Sequence, residues 1–297
     1  MKSLSSLAPR LANIRGLLAD IDDTISTDGR ITAAAYGAME RLRSAGFLMI
    51  PVTGRPAGWC DHIARMWPVD AVVGENGAFY MRYDEKRRKL VARKIDGCEP
   101  PPVRDVVTAA ALAEESAPTS LKLAERRGRL QAIGEHILRE VPGSAWASDQ
   151  SYRLADIAID FREDVPPLPA SAVERIAELM REEGLTAKIS SIHVNGWFGS
   201  YDKLGMTKVL LREQFGMDLE STRAEFVFVG DSPNDAPMFE FFPLSVGVAN
   251  VADFAGAIAH PPKYVTRGRS GAGFVELAEL LIEFNGNVMV SPLRHPR

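Results

Sequence analysis

The feature that most constrains this chain is the alternation of short apolar segments with helix-like segments near both of its ends. Apolar runs at 17–19, 47–52 and 226–229 have the character of buried strands, and helical spacing follows at 31–45 and 201–215. Strands that alternate with helices in this way form a parallel sheet with helices on both faces. We therefore expect an α/β fold with a Rossmann-like parallel sheet built from both ends of the chain.

The middle of the chain follows a different pattern. Strand-like runs at 152–161 and 186–198 flank a helical stretch at 170–183, and the segment 156–160 alternates polar and apolar residues with period two. Strands and helices without strand–helix–strand alternation predict an α+β insertion. We therefore predict a discontinuous core domain and one inserted domain, with the boundaries 1–84 plus 200–297 for the core and 85–199 for the insertion.

Composition excludes several classes of protein. The chain has 297 residues, 46% hydrophobic and 25% charged, which is close to the globular average and argues against wholesale disorder. A net charge of −4 gives no global attraction to nucleic acid or anionic lipid. Apolar runs are far shorter than the roughly 18–20 residues that a membrane-spanning helix needs. The charge and the short apolar runs lead us to expect no nucleic-acid or membrane partner. Because Cys60 and Cys98 cannot form a disulfide framework, we also expect a cytoplasmic protein.

Two acidic motifs stand where predicted strands end. Asp20 and Asp22 follow the first strand, and Asp231 and Asp235 follow the strand at 226–229. The carboxyl ends of parallel strands are where open α/β sheets bind ligands. Like charges gathered there are costly unless a cation compensates them, and Mg²⁺ prefers oxygen ligands. Taken singly, each motif also fits a solvated turn or a capped helix with nothing bound.

A third strand end and a lysine add phosphate-binding candidates. Thr53 and Gly54 close the strand at 47–52, and a hydroxyl with exposed amides at such a point can hold phosphate oxygens. So short a string also fits a plain turn. Lys203 is a second candidate, with Lys208 as its competitor, although a lone lysine is ordinarily a solvated surface residue.

In order and spacing, these residues resemble the haloacid dehalogenase superfamily of phosphotransferases. The resemblance spans 15–83 and 200–280, and the insertion resembles the α/β cap found in sugar phosphatases of that family. Within the superfamily the chain is most similar to sucrose-phosphate, trehalose-phosphate and mannosyl-3-phosphoglycerate phosphatases. The residues that carry the resemblance are the two acidic motifs, a strand-end threonine and a lysine: Asp20, Asp22, Thr24, Thr53, Lys203, Gly230, Asp231 and Asp235.

The resemblance implies a role for each of these residues. Asp20 would be the nucleophile that forms an aspartyl-phosphate, and Asp22 would act as general acid and then as general base. The carboxylates of Asp20 and Asp231, with the backbone carbonyl of Asp22, would hold Mg²⁺, and Asp235 would support that metal shell. The residues that bind or orient the phosphoryl group would be Thr53, Gly54, Lys203 and Asn234.

Weaker substrate candidates lie outside these motifs. The segment 74–77 resembles a family segment that faces the cap, although its Asn-Gly pair equally predicts a hairpin turn. A single histidine on a strand is more often structural than functional. The residues that we nevertheless predict to contact substrate are Arg55, Glu75, Asn76, His193 and Asn195.

Two positions depart from the expected pattern. Asp23 stands where the first motif of the family often has glycine. Pro51 lies in a strand that we expect to be central, where a proline removes one hydrogen bond from the ladder.

The sequence therefore predicts a Mg²⁺-dependent phosphatase of a small phosphorylated metabolite, with a sugar phosphate or phosphorylated glycoside favoured. It would act as a monomer or a homodimer. A phosphosugar mutase of the same fold is the nearest alternative. A non-catalytic metabolite-binding module is the other, and the filled catalytic positions argue against it.

Overall fold

The computed structural model of the protein describes residues 1–11, 13–94 and 117–287. These residues group into two units. The first comprises Met1–Thr53, Met66–Val72 and Thr207–Arg297, and the second comprises Gly54–Arg65 and Val73–Met206. The domain boundaries expected from the sequence remain a prediction.

The described residues contain both strands and helices in alternation, as the α/β prediction requires. The strands in chain order are β1 (Lys2–Ser3), β2 (Gly16–Ala19), β3 (Leu48–Pro51), β4 (Val72–Gly74), β5 (Phe79–Asp84), β6 (Lys89–Lys94), β7 (Ala145–Trp146), β8 (Asp156–Asp160), β9 (Thr186–Ile189), β10 (His193–Trp197), β11 (Phe226–Gly230), β12 (Ser245–Gly247) and β13 (Tyr264–Val265). The helices are α1 (Ala33–Ser44), α2 (Ala57–Met66), α3 (Ala117–Glu140), α4 (Ala170–Glu182), α5 (Lys203–Phe215), α6 (Leu219–Thr222), α7 (Ala236–Phe241) and α8 (Ser270–Asn287).

A six-stranded parallel sheet organises the first unit, in the order β1-β13-β12-β11-β2-β3. Val229 of β11 pairs with Ala19 of β2, and Ala19 pairs with Pro51 of β3. These three strands are fully buried, which suits their apolar sequences. The register brings their carboxyl ends side by side, so the residues that follow them share one edge of the sheet.

Local signals set the ends of the helix between β2 and β3. The hydroxyl of Thr32 accepts a hydrogen bond from the backbone N–H of Ala35 at 3.1 Å and caps the start of α1. Beyond its end, Gly46 adopts a φ of 90°, which stops the helix. Met39 and Leu42 of α1 are buried. In the described part of the chain, helices are too short or too polar to cross a membrane.

The expectation that Pro51 lies in a central strand is wrong. β3 is the last strand of the six-stranded sheet. The backbone N–H groups of Leu48 and Val52 point to the β2 side, donating to Arg15 and Ala19, whereas that of Met49 points the other way, to the Asp70 carboxylate. By this alternation an N–H at position 51 would point away from β2. The proline therefore removes no hydrogen bond from the ladder.

The second unit contains a four-stranded antiparallel sheet, in the order β7-β8-β10-β9, and a three-stranded sheet, in the order β4-β5-β6. Helices α3 and α4 pack on the four-stranded sheet. The single strand expected over 186–198 is wrong, because the run is a hairpin of β9 and β10. The hydroxyl of Ser190 closes its turn by accepting from the backbone N–H of His193 at 3.0 Å. Apolar residues of the sheet and of both helices form the core: Ile137, Ile157, Ile159, Ile176, Met180 and Val194.

Candidate active site

Three carboxylates come together at the carboxyl edge of the parallel sheet. Asp20 follows β2, Asp231 follows β11, and Asp235 lies in the helical turn after β11. One oxygen atom from each lies within 4.8 Å of the others, and all three residues are buried. Burial, together with the charges of Asp20 and Asp235, raises the pKa of Asp231 well above its usual range. Since all the donors are oxygens and their charges repel, this cluster can hold a hard divalent cation.

The turn after β11 is built around the carboxylate of Asp235. Its Oδ2 accepts hydrogen bonds from the backbone N–H groups of Asp231 at 3.1 Å and Ser232 at 3.4 Å. A side chain at Gly230 would place its Cβ 2.2 Å from that oxygen, so only glycine leaves room for it. Asn234 is buried in the same turn, where its Oδ1 accepts from the Ser232 hydroxyl at 2.9 Å. The motif is therefore a rigid loop that presents Asp231 at the strand end.

The turn after β2 explains the departure at position 23. Asp23 has a φ of 54°, a left-handed conformation that glycine adopts without cost and that aspartate tolerates better than most residues. Thr24, next along the turn, donates its hydroxyl to Oδ1 of Asp231 at 3.4 Å. Asp22 is half-buried, in contrast to Asp20. Its carboxylate is not part of the three-carboxylate cluster found among the described residues.

Asn250 belongs to this site, although it is not among the site residues predicted from the sequence. It lies just beyond β12, the next strand of the sheet, and is buried. Its Nδ2 donates to the backbone carbonyl of Asp23 at 2.9 Å and to Oδ2 of Asp231 at 3.3 Å. The signal that could have identified it is its position after an apolar strand, the rule that identified the aspartates.

Two of the proposed phosphate-binding residues, Thr53 and Lys203, are buried in their respective units. Thr53 follows β3 and is fully buried. Lys203 is the first residue of α5 and is 3% exposed. Its competitor Lys208 is half-buried, forms an ion pair with Glu220 at 2.6 Å and lies over the ring of Phe241. The choice of Lys203 over Lys208 remains a prediction.

The weaker substrate candidates lie in a buried polar group of the second unit, which we call the arginine cluster. Arg153 donates to Asp149 at 3.0 Å, to Asp156 at 3.1 Å and to the backbone carbonyl of Gly54 at 2.9 Å. Arg55 donates to Asp149 at 3.2 Å and to a second carboxylate, that of Glu163. The members of the cluster are Arg55, Glu75, Asp149, Arg153, Asp156, Glu163, His193 and Asn195.

Three predicted substrate residues have partners within the second unit. Both carboxylate oxygens of Glu75 accept backbone N–H groups, from Ala57 and from the segment 154–155. Nε2 of His193 lies 3.0 Å from the carboxylate of Glu163. Nδ2 of Asn195 donates to Asp156 at 3.1 Å. Their contacts with substrate remain predictions. Asn76 differs, because neither atom of its carboxamide bonds to a described residue.

The arginine cluster contains more carboxylates than arginines. Burial and the charges within the cluster shift the pKa values of these carboxylates. Burial raises the pKa of Asp156 to about 7, because the nearby Arg153 charge opposes the effect without cancelling it and Glu75 adds to it. Burial would also raise the pKa of Glu163, but hydrogen bonds from His193 and Arg55 outweigh it and lower that pKa to about 2. Burial also raises the pKa of Glu75, so Asp156 and Glu75 are the two members of the cluster that hold a proton above the ordinary range of carboxyl groups.

Comparison with known proteins shows which family the first part of the chain is similar to. The family model of haloacid dehalogenase-like hydrolases matches residues 17–109, which include β2, β3 and the first acidic motif. Over these residues the chain is similar to haloacid dehalogenase-like hydrolases. The resemblance seen in its motifs is confirmed, and so is the α/β fold.

Similar proteins align with almost the whole length of this chain. Phosphoglycolate phosphatase of Methanosarcina mazei is 26% identical over 278 residues, which cover 92% of this chain and 98% of the relative. A solved Thermoplasma acidophilum protein has a TM-score of 0.59 at 18% identity, covering 91% of this chain and 99% of its own. Sucrose-phosphatase of Synechocystis sp. has a TM-score of 0.54 at 16% identity, covering 90% and 97%. The match to the hydrolase family model and the relatives named as phosphatases confirm the prediction of an enzyme of the phosphatase class.

Proposed function

We propose that this hydrolase is a Mg²⁺-dependent phosphatase that releases phosphate from a small phosphorylated metabolite in the cytoplasm. The observation that carries the proposal is the buried cluster of Asp20, Asp231 and Asp235 at the carboxyl edge of the parallel sheet. A sugar phosphate or phosphorylated glycoside is the favoured substrate, and the solved sucrose-phosphatase shares the fold. Relatives named phosphoglycolate phosphatase make a phosphorylated acid the second class to test.

Asp20 and Asp22 divide the chemistry between them. The carboxylate of Asp20 attacks phosphorus, which forms the aspartyl-phosphate and breaks the bond to the leaving oxygen. Asp22 gives that oxygen its proton, and the resulting carboxylate then takes a proton from the water that attacks the aspartyl-phosphate. Phosphate leaves and Asp20 is regenerated. The half-buried position of Asp22 supports this role, because a proton donor must reach both substrate and water.

Charge neutralisation is the second requirement of phosphoryl transfer. The transition state spreads negative charge over three equatorial oxygens, so fixed donors and positive charges accelerate the reaction. Mg²⁺ held by the carboxylates of Asp20 and Asp231 and the backbone carbonyl of Asp22, with support from Asp235, would supply positive charge beside the nucleophile. The chain's own donors would be the hydroxyl of Thr53, the amide of Gly54 and the ammonium of Lys203, and Asn234 would orient Lys203 or Asp20. Burial of Lys203 supports this role, because a charge at 3% exposure interacts strongly with its surroundings.

The test is phosphate release by the purified protein from a panel of sugar phosphates, phosphoglycolate and p-nitrophenyl phosphate, with Mg²⁺ or with a chelator. We expect release only with Mg²⁺, and loss of turnover in Asp20→Asn. The matched control is Asp28→Asn, at an exposed aspartate in the same loop, which should keep full activity. Retained activity in Asp20→Asn would exclude the covalent mechanism. Interconversion of sugar phosphates without phosphate release would identify the mutase, and ligand binding without turnover would identify a binding module.

A further inference from the structure

Asn76 carries a polar side chain that the fold buries without giving it a hydrogen-bond partner. The residue is 2% exposed, and neither Nδ2 nor Oδ1 bonds to any residue that the structure describes. Its backbone is also unusual, because Glu75 and Asn76 both have left-handed φ angles, of 42° and 53°. A buried unpaired amide and a left-handed backbone both oppose folding. Because both features oppose folding, Asn76 is a candidate for a role in binding.

The conformation of this turn does not depend on the Asn76 side chain. Glu75 holds the turn, since its carboxylate accepts backbone N–H groups from Ala57 at 3.0 Å and from Leu154 and Ala155 at 2.9 and 2.6 Å. The backbone of Glu75 adds another bond, to the carbonyl of Arg55 at 3.1 Å. The carboxamide of Asn76 is therefore available to a ligand.

The carboxamide lies beside the bare backbone of Gly54. A Cβ built on Gly54 would lie 3.2 Å from Nδ2 and 3.3 Å from Oδ1 of Asn76, and 3.6 Å from Oδ1 of Asn195. Asn195 is oriented there by its hydrogen bond to Asp156. Gly54 directly follows Thr53 in the proposed phosphate-binding segment. Two carboxamides thus border a residue that we expect to touch the phosphoryl group.

We propose that Asn76 is a specificity-determining residue that binds a hydroxyl group of the substrate close to the phosphoester. The proposal rests on the phosphatase function proposed above. An amide offers one donor group and one acceptor atom, and both lack partners here. A hydroxyl group satisfies both at once, whereas a carboxylate only accepts. The substrate class that Asn76 favours is therefore a phosphorylated sugar or polyol rather than a phosphorylated acid without hydroxyl groups.

The test compares Asn76→Gly with the wild-type enzyme on three substrates: a hexose 6-phosphate, phosphoglycolate and p-nitrophenyl phosphate. Glycine fits a left-handed φ, so the variant removes the carboxamide without straining the turn. We expect kcat/KM for the hexose phosphate to fall about tenfold, the effect of one or two hydrogen bonds. Turnover of the other two substrates should change by less than about threefold. The melting temperature should stay the same or rise, because an unpaired buried amide is removed.

The matched control is Arg88→Gly, at an exposed residue with the same φ of 53°, which should leave all three rates unchanged. Equal losses on all three substrates, or a lower melting temperature without a selective loss, would show that Asn76 is structural. The outcomes also separate the two proposals. If the wild-type enzyme hydrolyses none of the three, the phosphatase proposal fails and this one with it. If it hydrolyses them and the ratio of rates is unaltered in Asn76→Gly, only the role of Asn76 is overturned.

Discussion

Nδ2 of Asn250 donates a hydrogen bond to Oδ2 of Asp231, 3.3 Å away, and a second one to the backbone carbonyl of Asp23 at 2.9 Å. Oδ1 of Asn250 accepts from the backbone N–H of Ser270 at 2.8 Å, which fixes the orientation of the amide. One side chain thus links the turn after β2 to the turn after β11. Asn250 orients the carboxylate of Asp231 without belonging to the carboxylate cluster.

Asn250→Ala should therefore weaken metal binding more than it weakens the chemistry. Residues that orient a metal ligand typically change metal affinity by about 10–100-fold, and we expect the Mg²⁺ concentration for half-maximal activity to rise by that factor. Saturating Mg²⁺ should restore most of kcat. Mg²⁺ titrations of activity and of melting temperature measure the effect. Thr24→Val removes a single hydrogen bond to the same carboxylate and leaves the link through Asn250 intact, so it should have a smaller effect. An unaltered Mg²⁺ dependence in Asn250→Ala would contradict this role.

Asp231→Asn should make the metal-free protein more stable and abolish its response to Mg²⁺. The substitution removes one of three crowded buried charges, and the raised pKa of Asp231 reflects that crowding. In the wild-type protein, Mg²⁺ at a hundred times its Kd should add about 2.7 kcal/mol to the free energy of unfolding. Thermal unfolding with chelator and with Mg²⁺ gives both quantities. Asp28→Asn should keep the full Mg²⁺ shift. A metal-free Asp231→Asn protein less stable than wild type would show that the carboxylate is stabilised by its neighbours instead.

The sequence predicted the parts of the fold and site that depend on local pattern. Apolar strands followed by aspartates predicted the positions of Asp20 and Asp231, because a parallel sheet brings the carboxyl ends of its strands to one edge. Asn250 obeys the same rule after β12 but has an uncharged side chain, so nothing in its sequence distinguished it from a loop residue. The hairpin within 186–198 was missed because its turn has neither glycine nor proline to mark it.

The arginine cluster could not be predicted from the sequence. Arg55 and Asp149 are 94 positions apart, and Arg55 and Glu163 are 108 apart. A lone arginine is ordinarily a surface residue, and its burial depends on partners that only the folded chain brings together. The structure shows Arg55 bonded to the carboxylates of Asp149 and Glu163, and its contact with substrate remains a prediction.

Arg55→Met should destabilise the protein strongly. The guanidinium and the Asp149 carboxylate are 3% and 2% exposed, so the substitution leaves buried carboxylates with one partner fewer. Breaking a buried ion pair from one side typically costs about 3–5 kcal/mol. The matched control is Arg65→Met in α2, where the pair with Asp61 is 32% and 22% exposed and should contribute about 1 kcal/mol or less. Urea unfolding of both variants measures the difference. Similar losses in the two would show that the cluster contributes little to stability.

Asp156 should make stability fall as the pH rises from about 4 to about 7. Burial raises its pKa from 3.8 to about 7, so in this window the native protein holds a proton that the unfolded chain has released. The protonated state therefore favours folding below pH 4, and this contribution is lost as the pH passes 7. Asp156→Asn cannot titrate and resembles the protonated form. It should match wild type at pH 4 and exceed it at pH 8 by an amount on the order of a few kcal/mol.

Urea unfolding of both proteins between pH 4 and pH 8 tests this. The difference between them cancels the contribution of Asp231, which both retain, and Glu163, with its pKa near 2, does not titrate in this window. Burial also raises the pKa of Glu75, so the difference reports Asp156 together with any change that the substitution causes at Glu75. The outcome distinguishes two views of the Arg153–Asp156 pair. If Asp156→Asn is less stable than wild type at pH 8, the ion pair with Arg153 outweighs burial and Asp156 is ionised throughout. If it is more stable, burial dominates and the arginine cluster carries a proton that it releases near neutral pH.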